Sequence, residues 1–282
     1  MLSRTLKMAF WVGYDHLGKL MIASAIWFVC WLPLCVLSFA AFCVPDRSVS
    51  VFLGVPLAIL GVCVGLPVAT AGLAHMVKEL IDTRDGSIRT MFEGIRLYSR
   101  RAVGLGFFYG FLLSCLGVNV WFYAVKFGST FPVLAYGISG IALWLLFFCI
   151  LTGVVVFPTL VQKKSGVFAT FRLAALLTLD NFFLVLVVML HVLALTVLGA
   201  VVFPFLVFGY GAALAVLTGS FYEILSRKYA AIEVLSSSSS GVKLSPITKR
   251  RFTREDYETF FHDEQDDYLN RGFRDFLFPW KG

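Results

Sequence analysis

Residues 172–227 read RLAALLTLDNFFLVLVVMLHVLALTVLGAVVFPFLVFGYGAALAVLTGSFYEILSR, and between the two terminal arginines only Asp180 and Glu223 carry charge. A single helix of that length would run to roughly 80 Å, against a bilayer hydrocarbon core of about 30 Å. The chain therefore has to turn inside the stretch. Gly199 and Pro204 mark the place, since glycine loosens the helical ladder and proline interrupts it. Two membrane helices follow, over about 174–199 and 201–225.

Working outward, four more apolar stretches of comparable length occupy about 20–44, 51–77, 102–125 and 132–161. The composition agrees: of 282 residues, 59% are hydrophobic and 15% charged, 29 are Phe, and the mean hydropathy is +0.84. A soluble domain carries roughly 45–50% apolar and about 25% charged residues. Soluble globular, disordered, collagen-like and disulfide-scaffold classes are thereby excluded. The first stretch is not a cleaved signal peptide. It is longer than the usual h-region, it contains Trp27, Trp31 and Pro33, and no A-x-A site follows it. The expectation is an all-α polytopic bundle of six transmembrane helices arranged as three hairpins.

Charge gives the orientation. Of the 24 Lys and Arg residues, only Arg47 and Lys126 fall outside the N-terminus, the loops 77–101 and 162–173, and the region after Tyr222. Positive charge collects on the cytoplasmic side, so both termini and the two longer loops are assigned there. The net charge of +7 is then largely a topology signal, and no nucleic-acid partner is expected.

Residues 1–228 form the membrane domain, 229–241 a Ser-rich linker, and 242–282 a cytoplasmic tail with amphipathic helices. Thr253 would cap a short helix carrying Tyr257, Phe260 and Phe261, and seven acids lie between Glu255 and Asp267. Leu269, Phe273, Phe276, Leu277 and Trp280 then follow at helical spacing. Acids would be repelled by anionic lipid, whereas loop 77–101 is basic, so Phe273, Phe276, Leu277 and Trp280 are expected to anchor the tail on the protein's own cytoplasmic face or on a partner.

That loop reads as an amphipathic helix at the headgroups, with Ile88, Met91, Phe92 and Ile95 on one side and Arg84, Arg89, Arg96, Arg100 and Arg101 forming a basic cytoplasmic face. Gly86-Ser-Ile-Arg-Thr90 is echoed by Gly166-Val-Phe-Ala-Thr170, each after a helix with a late proline, Pro67 or Pro158. Small residues recur every four positions at Gly61, Gly65 and Ala69 and again at Ala102, Gly106, Gly110 and Ser114, and these two faces are expected to meet.

Candidates for chemistry are few. The six cysteines lie in apolar segments without C-x-x-C or ligand-spaced His, so they read as small apolar residues, and neither metal nor cofactor is expected. Asn119 and His191 fall in the outer half of the bilayer and form a candidate substrate path, the bland alternative being one interhelical hydrogen bond. No carboxylate sits near the midplane, which disfavours ion-driven pumping. Gly137-Ile-Ser139-Gly140 matches a G-x-S-G of rhomboid-type intramembrane proteases, with His191 as a possible base, but the accompanying His and Asn helix is missing.

Tyr14-Asp-His-Leu-Gly-Lys-Leu, Ile26-Trp-Phe-Val-Cys-Trp-Leu-Pro33, Gly65-Leu-Pro-Val-Ala-Thr-Ala-Gly72 and Phe92-Glu-Gly-Ile-Arg96 together resemble the bacterial YesL family over about residues 10–225. The resemblance implies a bacterial inner-membrane protein associated with carbohydrate uptake and degradation systems, with no assigned activity and no catalytic residues to carry over. The expected function is a non-enzymatic accessory or scaffold component of an envelope or carbohydrate-transport system, in contact with the lipid bilayer and with a membrane-protein partner or a second copy. A small-molecule transporter or channel through Asn119 and His191 is the alternative. An intramembrane serine hydrolase using Ser139 and His191 is the third reading.

Overall fold

A computed structural model describes residues 1–127, 131–163, 165–238 and 267–271, and all regular structure in them is helical. Six helical segments are long and apolar enough to cross a membrane: Leu17–Phe42, Arg47–Asp82, Ile88–Phe127, Pro132–Lys163, Phe182–Val201 and Phe203–Ile232. The chain is therefore an all-α, multi-pass membrane protein of the expected span number. The turn inside the long apolar run falls at Val202, which leaves helical geometry (φ −110°, ψ 89°) just before Phe203-Pro204.

Eleven helices are traced among the described residues. An unanticipated helix, α1 (Leu2–Asp15), precedes the first span and ends at His16 (φ −118°). The spans begin with α2 (Leu17–Phe42) and continue with α3 (Arg47–Ile59) and α4 (Leu66–Asp82), which are joined by a π-helical turn at Leu60–Gly65. Pro67 has no N–H to return to the preceding turn. The ladder widens there, with the Leu66 N–H reaching Gly61 five residues back. The remaining long helices are α5 (Ile88–Trp121), α6 (Pro132–Lys163), α7 (Val167–Asp180) and α8 (Phe182–Val201). Short α9 (Phe203–Phe205) leads through a π-helical turn into α10 (Gly211–Ser238), and α11 (Asp267–Asn270) belongs to the tail. Because α10 continues to Ser238, the chain remains helical well into the expected linker.

Caps fix the starts. Asp46 accepts from the Ser48 backbone N–H at 2.8 Å ahead of α3. Ser87 and Thr90 exchange side-chain and backbone bonds ahead of α5, a capping box. The Ser87 and Thr90 hydroxyls lie 3.0 Å apart, and those of Ser165 and Thr170 lie 2.9 Å apart at the start of α7.

Three expectations need correction. First, residues 88–101 are not a separate helix at the headgroups. They are the first turns of α5, with Met91 and Gly94 buried and Phe92 left 52% exposed. The apolar face packs on α4, where a Cβ at Gly72 would come within 2.5 Å of Ile95 and one at Gly94 within 2.6 Å of His75. Second, the segment expected as one helix from 174 is broken at Asn181 (φ −121°), so the span begins at Phe182 and α7 is a separate element. Third, the small-residue faces meet only in part. A Cβ at Gly106 would lie 2.4 Å from the Cys63 carbonyl oxygen, and one at Gly110 would lie 3.1 Å from the Cys63 sulfur, so α5 does close on the α3–α4 span. Gly61 and Gly65 instead face α2, at Cys35 and at the Cys30 carbonyl oxygen. Ala69 and Ala102 are buried, while Ser114 is exposed. A four-residue repeat keeps residues on one stripe but does not name the neighbour it faces.

α4 and α10 occupy the centre: α4 touches α2, α5, α6 and α10, and α10 also touches α1, α2, α6 and α8. Hydrogen bonds between spans reinforce this packing, from Trp27 Nε1 to Thr70 Oγ1 (2.9 Å) and from the Tyr98 hydroxyl to the Val161 carbonyl (3.0 Å). Buried side chains concentrate where α4, α5, α6 and α10 approach the basic loops, among them Met76, Leu80, Met91, Tyr98 and Leu160. At the opposite end Val133 and Val201 are 91% and 78% exposed. In hydrocarbon such exposure costs little, since lipid tails solvate apolar side chains as well as protein does.

Candidate functional site at the basic end

α1, loop 83–87 and the tail segment 267–271 converge at one end of the bundle. α1 is amphipathic. It buries Thr5, Met8, Trp11 and Val12 and leaves Phe10 and Tyr14 about half exposed. Tyr268 and Leu269 of the tail enter the same core, each under 5% exposed. The Tyr268 hydroxyl donates to the Leu80 carbonyl (3.3 Å) and lies 3.4 Å from His16 Nε2. Lys7 donates to the Leu269 carbonyl, and Arg271 pairs with Asp15 at 2.5 Å while stacking over the Trp11 ring. Arg84 completes the seat. Its guanidinium lies 4.9 Å from the Tyr268 ring centroid, and its backbone is left-handed (φ 61°), a conformation that costs a non-glycine residue about 1–3 kcal/mol.

His16 is the titratable centre of this contact. Burial pushes its pKa below the usual histidine value, and the Lys19 charge pushes it further. Asp15 opposes that shift, while Arg84 and Arg271 add to it. The anticipated basic residues, Arg84 of the seat among them, are all exposed: Arg84, Arg89, Arg96, Arg100 and Arg101. Arg89 pairs with Glu93 at 3.1 Å.

A cleft of about 740 Å³ opens beside this surface, between α7 and α10. Leu173, Leu176 and Leu177 line one wall, Tyr222 and Leu225 the other. Its polar end is built. Asn181 Nδ2 donates to the Tyr229 hydroxyl (2.8 Å), which donates to the Asp180 carboxylate, and Lys228 donates to Asn181 Oδ1 (2.8 Å) while lying 3.9 Å from Asp180. No sequence motif announced this network. The available signal was Asn181 itself, a poor helix former between two apolar runs.

The other sequence candidates are not brought together. Asn119 donates to the Cys115 carbonyl and the His191 ring bonds the Val187 carbonyl, so each bonds its own helix four residues back. Ser139 donates to the Val120 carbonyl at 3.3 Å, and no hydrogen bond joins it to His191. The cysteines are free, and no group of three or more potential metal ligands occurs among the described residues. Thr253, Tyr257, Phe260 and Phe261, and the expected anchors Phe273, Phe276, Leu277 and Trp280, lie outside the described residues. The tail contact that is described uses Tyr268, which the spacing argument passed over, together with Leu269.

No family model, no curated protein and no solved structure matches this chain.

Proposed function

We propose that this multi-pass membrane protein is a non-enzymatic accessory or scaffold component of an envelope system in a bacterial inner membrane, working through its basic end. The observation that carries the reading is the composite surface made by α1, the Arg84 loop and the Tyr268–Arg271 segment, three parts of the chain distant in sequence. Around it stands a row of exposed arginines, a surface suited to an acidic partner. By the positive-inside rule this end, with both termini, is cytoplasmic. A carbohydrate-transport system is the partner class implied by the YesL resemblance. The transporter and hydrolase alternatives gain nothing from the geometry, since Asn119, His191 and Ser139 all bond backbone carbonyls and not one another.

The test is affinity purification of the full-length protein from its native membrane in mild detergent, beside a form lacking residues 241–282. A partner recovered at near-equal stoichiometry with the full chain and lost with the truncation is the expected result. Recovery of the protein alone, or of the same partner with both forms, overturns the proposal.

A further inference from the structure

Lys163, at the end of α6 and the mouth of the α7–α10 cleft, makes no hydrogen bond or ion pair among the described residues. The nearby Asp180 and Lys228 already have partners: Asp180 accepts from Tyr229, and Lys228 donates to Asn181 and lies 3.9 Å from Asp180. One positive charge without a partner among the described residues therefore lines a cleft whose walls are mostly apolar, with Leu173, Leu176 and Leu177 facing Tyr222 and Leu225. Position adds to chemistry. The cleft lies where α7 gives way, at Asn181, to the membrane-spanning α8, so one side of it is polar and the other apolar. Its volume of about 740 Å³ falls within the roughly 300–1,000 Å³ typical of small-molecule sites.

We propose that this cleft binds one anionic phospholipid, with an acyl chain along Leu173, Leu176 and Leu177 and the headgroup phosphate at Lys163. An amphiphile satisfies both ends of the site. A water-soluble anion leaves the leucine wall uncovered, and a neutral hydrocarbon leaves the lysine unmatched. Lys228, 3.9 Å from Asp180, offsets part of the carboxylate charge beside the cleft, and Tyr229 stays committed to the Asp180–Asn181 network. This site is independent of the accessory or scaffold role, because it is made by α6, α7 and α10 and not by the tail.

The test is native mass spectrometry of the full-length protein in mild detergent, titrated with three probes: a phosphatidylglycerol, a phosphatidylcholine with the same acyl chains, and glycerol phosphate. The expected result is one tightly retained phosphatidylglycerol, weaker retention of phosphatidylcholine and none of glycerol phosphate. Lys163→Glu should weaken phosphatidylglycerol binding about thirtyfold and phosphatidylcholine, whose phosphate is offset by its own choline, by much less, since a basic residue at a membrane surface contributes about 1 kcal/mol toward anionic lipid and reversal doubles the change. Leu176→Trp, at a position 52% exposed, should block both lipids by filling the cleft. Lys163→Arg should bind like the parent protein and controls for folding. Equal retention of both lipids by the parent, or unchanged phosphatidylglycerol retention in Lys163→Glu and Leu176→Trp, overturns the proposal. So does binding of glycerol phosphate as tight as that of the lipid.

Discussion

At the scale of single residues, His16 and Gly106 make the sharpest statements. His16 is held neutral by burial and by Lys19, Arg84 and Arg271, with Asp15 as the opposing charge. Its pKa lies below the ordinary histidine value of 6.5, and undocking removes the Arg271 charge and the Tyr268 cover that add to that shift, so the undocked state binds the proton more readily. Tail docking should therefore be at full strength above pH 6.5 and weaken as pH falls through and below that value. Hydrogen exchange at residues 267–271, corrected for intrinsic rates, should show less protection at pH 5.5 than at pH 7.5, and His16→Gln should flatten the difference. Equal protection in the parent protein at both pH values would count against this role. At Gly106 any side chain strikes the Cys63 backbone, whereas a Cβ at Gly117 meets nothing within 4 Å. Gly106→Ala should cost about 1–3 kcal/mol and lower the melting temperature in detergent, while Gly117→Ala should leave it within a degree or two.

The elements divide into those that sequence announces and those that depend on what they pack against. Hydropathy sums along a chain without reference to neighbours, which is why six spans and the turn near Pro204 could be read directly. An amphipathic stripe such as Ile88, Met91 and Ile95 looks the same whether it faces headgroups or a neighbouring helix. Only the structure shows it seated on α4. The break at Asn181 was hidden because apolar residues continue on both sides of it. α1 was missed because its short, mixed sequence lacks the signal of a span, and the seat for Tyr268 exists only once α1, α4 and loop 83–87 are together. The packing of 88–101 gives a direct test. Met91→Ala, at a fully buried position, should cost about 2–4 kcal/mol, and Phe92→Ala should cost less than about 1 kcal/mol. A headgroup helix would give the two a similar cost, read as thermal unfolding in detergent.

The whole molecule is asymmetric along its length. α4 and α10 hold a tightly packed centre near the basic loops, and the helices at the other end present bare apolar faces. That asymmetry places the chemically differentiated part of the protein at the end bearing α1, the arginine row, the docked segment 267–271 and the α7–α10 cleft. The proposed function requires these features to share one side of a membrane crossed six times. The most direct measurement is labelling by a membrane-impermeant thiol reagent of single cysteines at Ser3, Asp85 and Ser48, with the native cysteines replaced, in vesicles of known sidedness. Ser3 and Asp85 should react from the cytoplasmic face and Ser48 from the opposite one. Reaction of Ser3 and Asp85 from opposite faces would contradict the account.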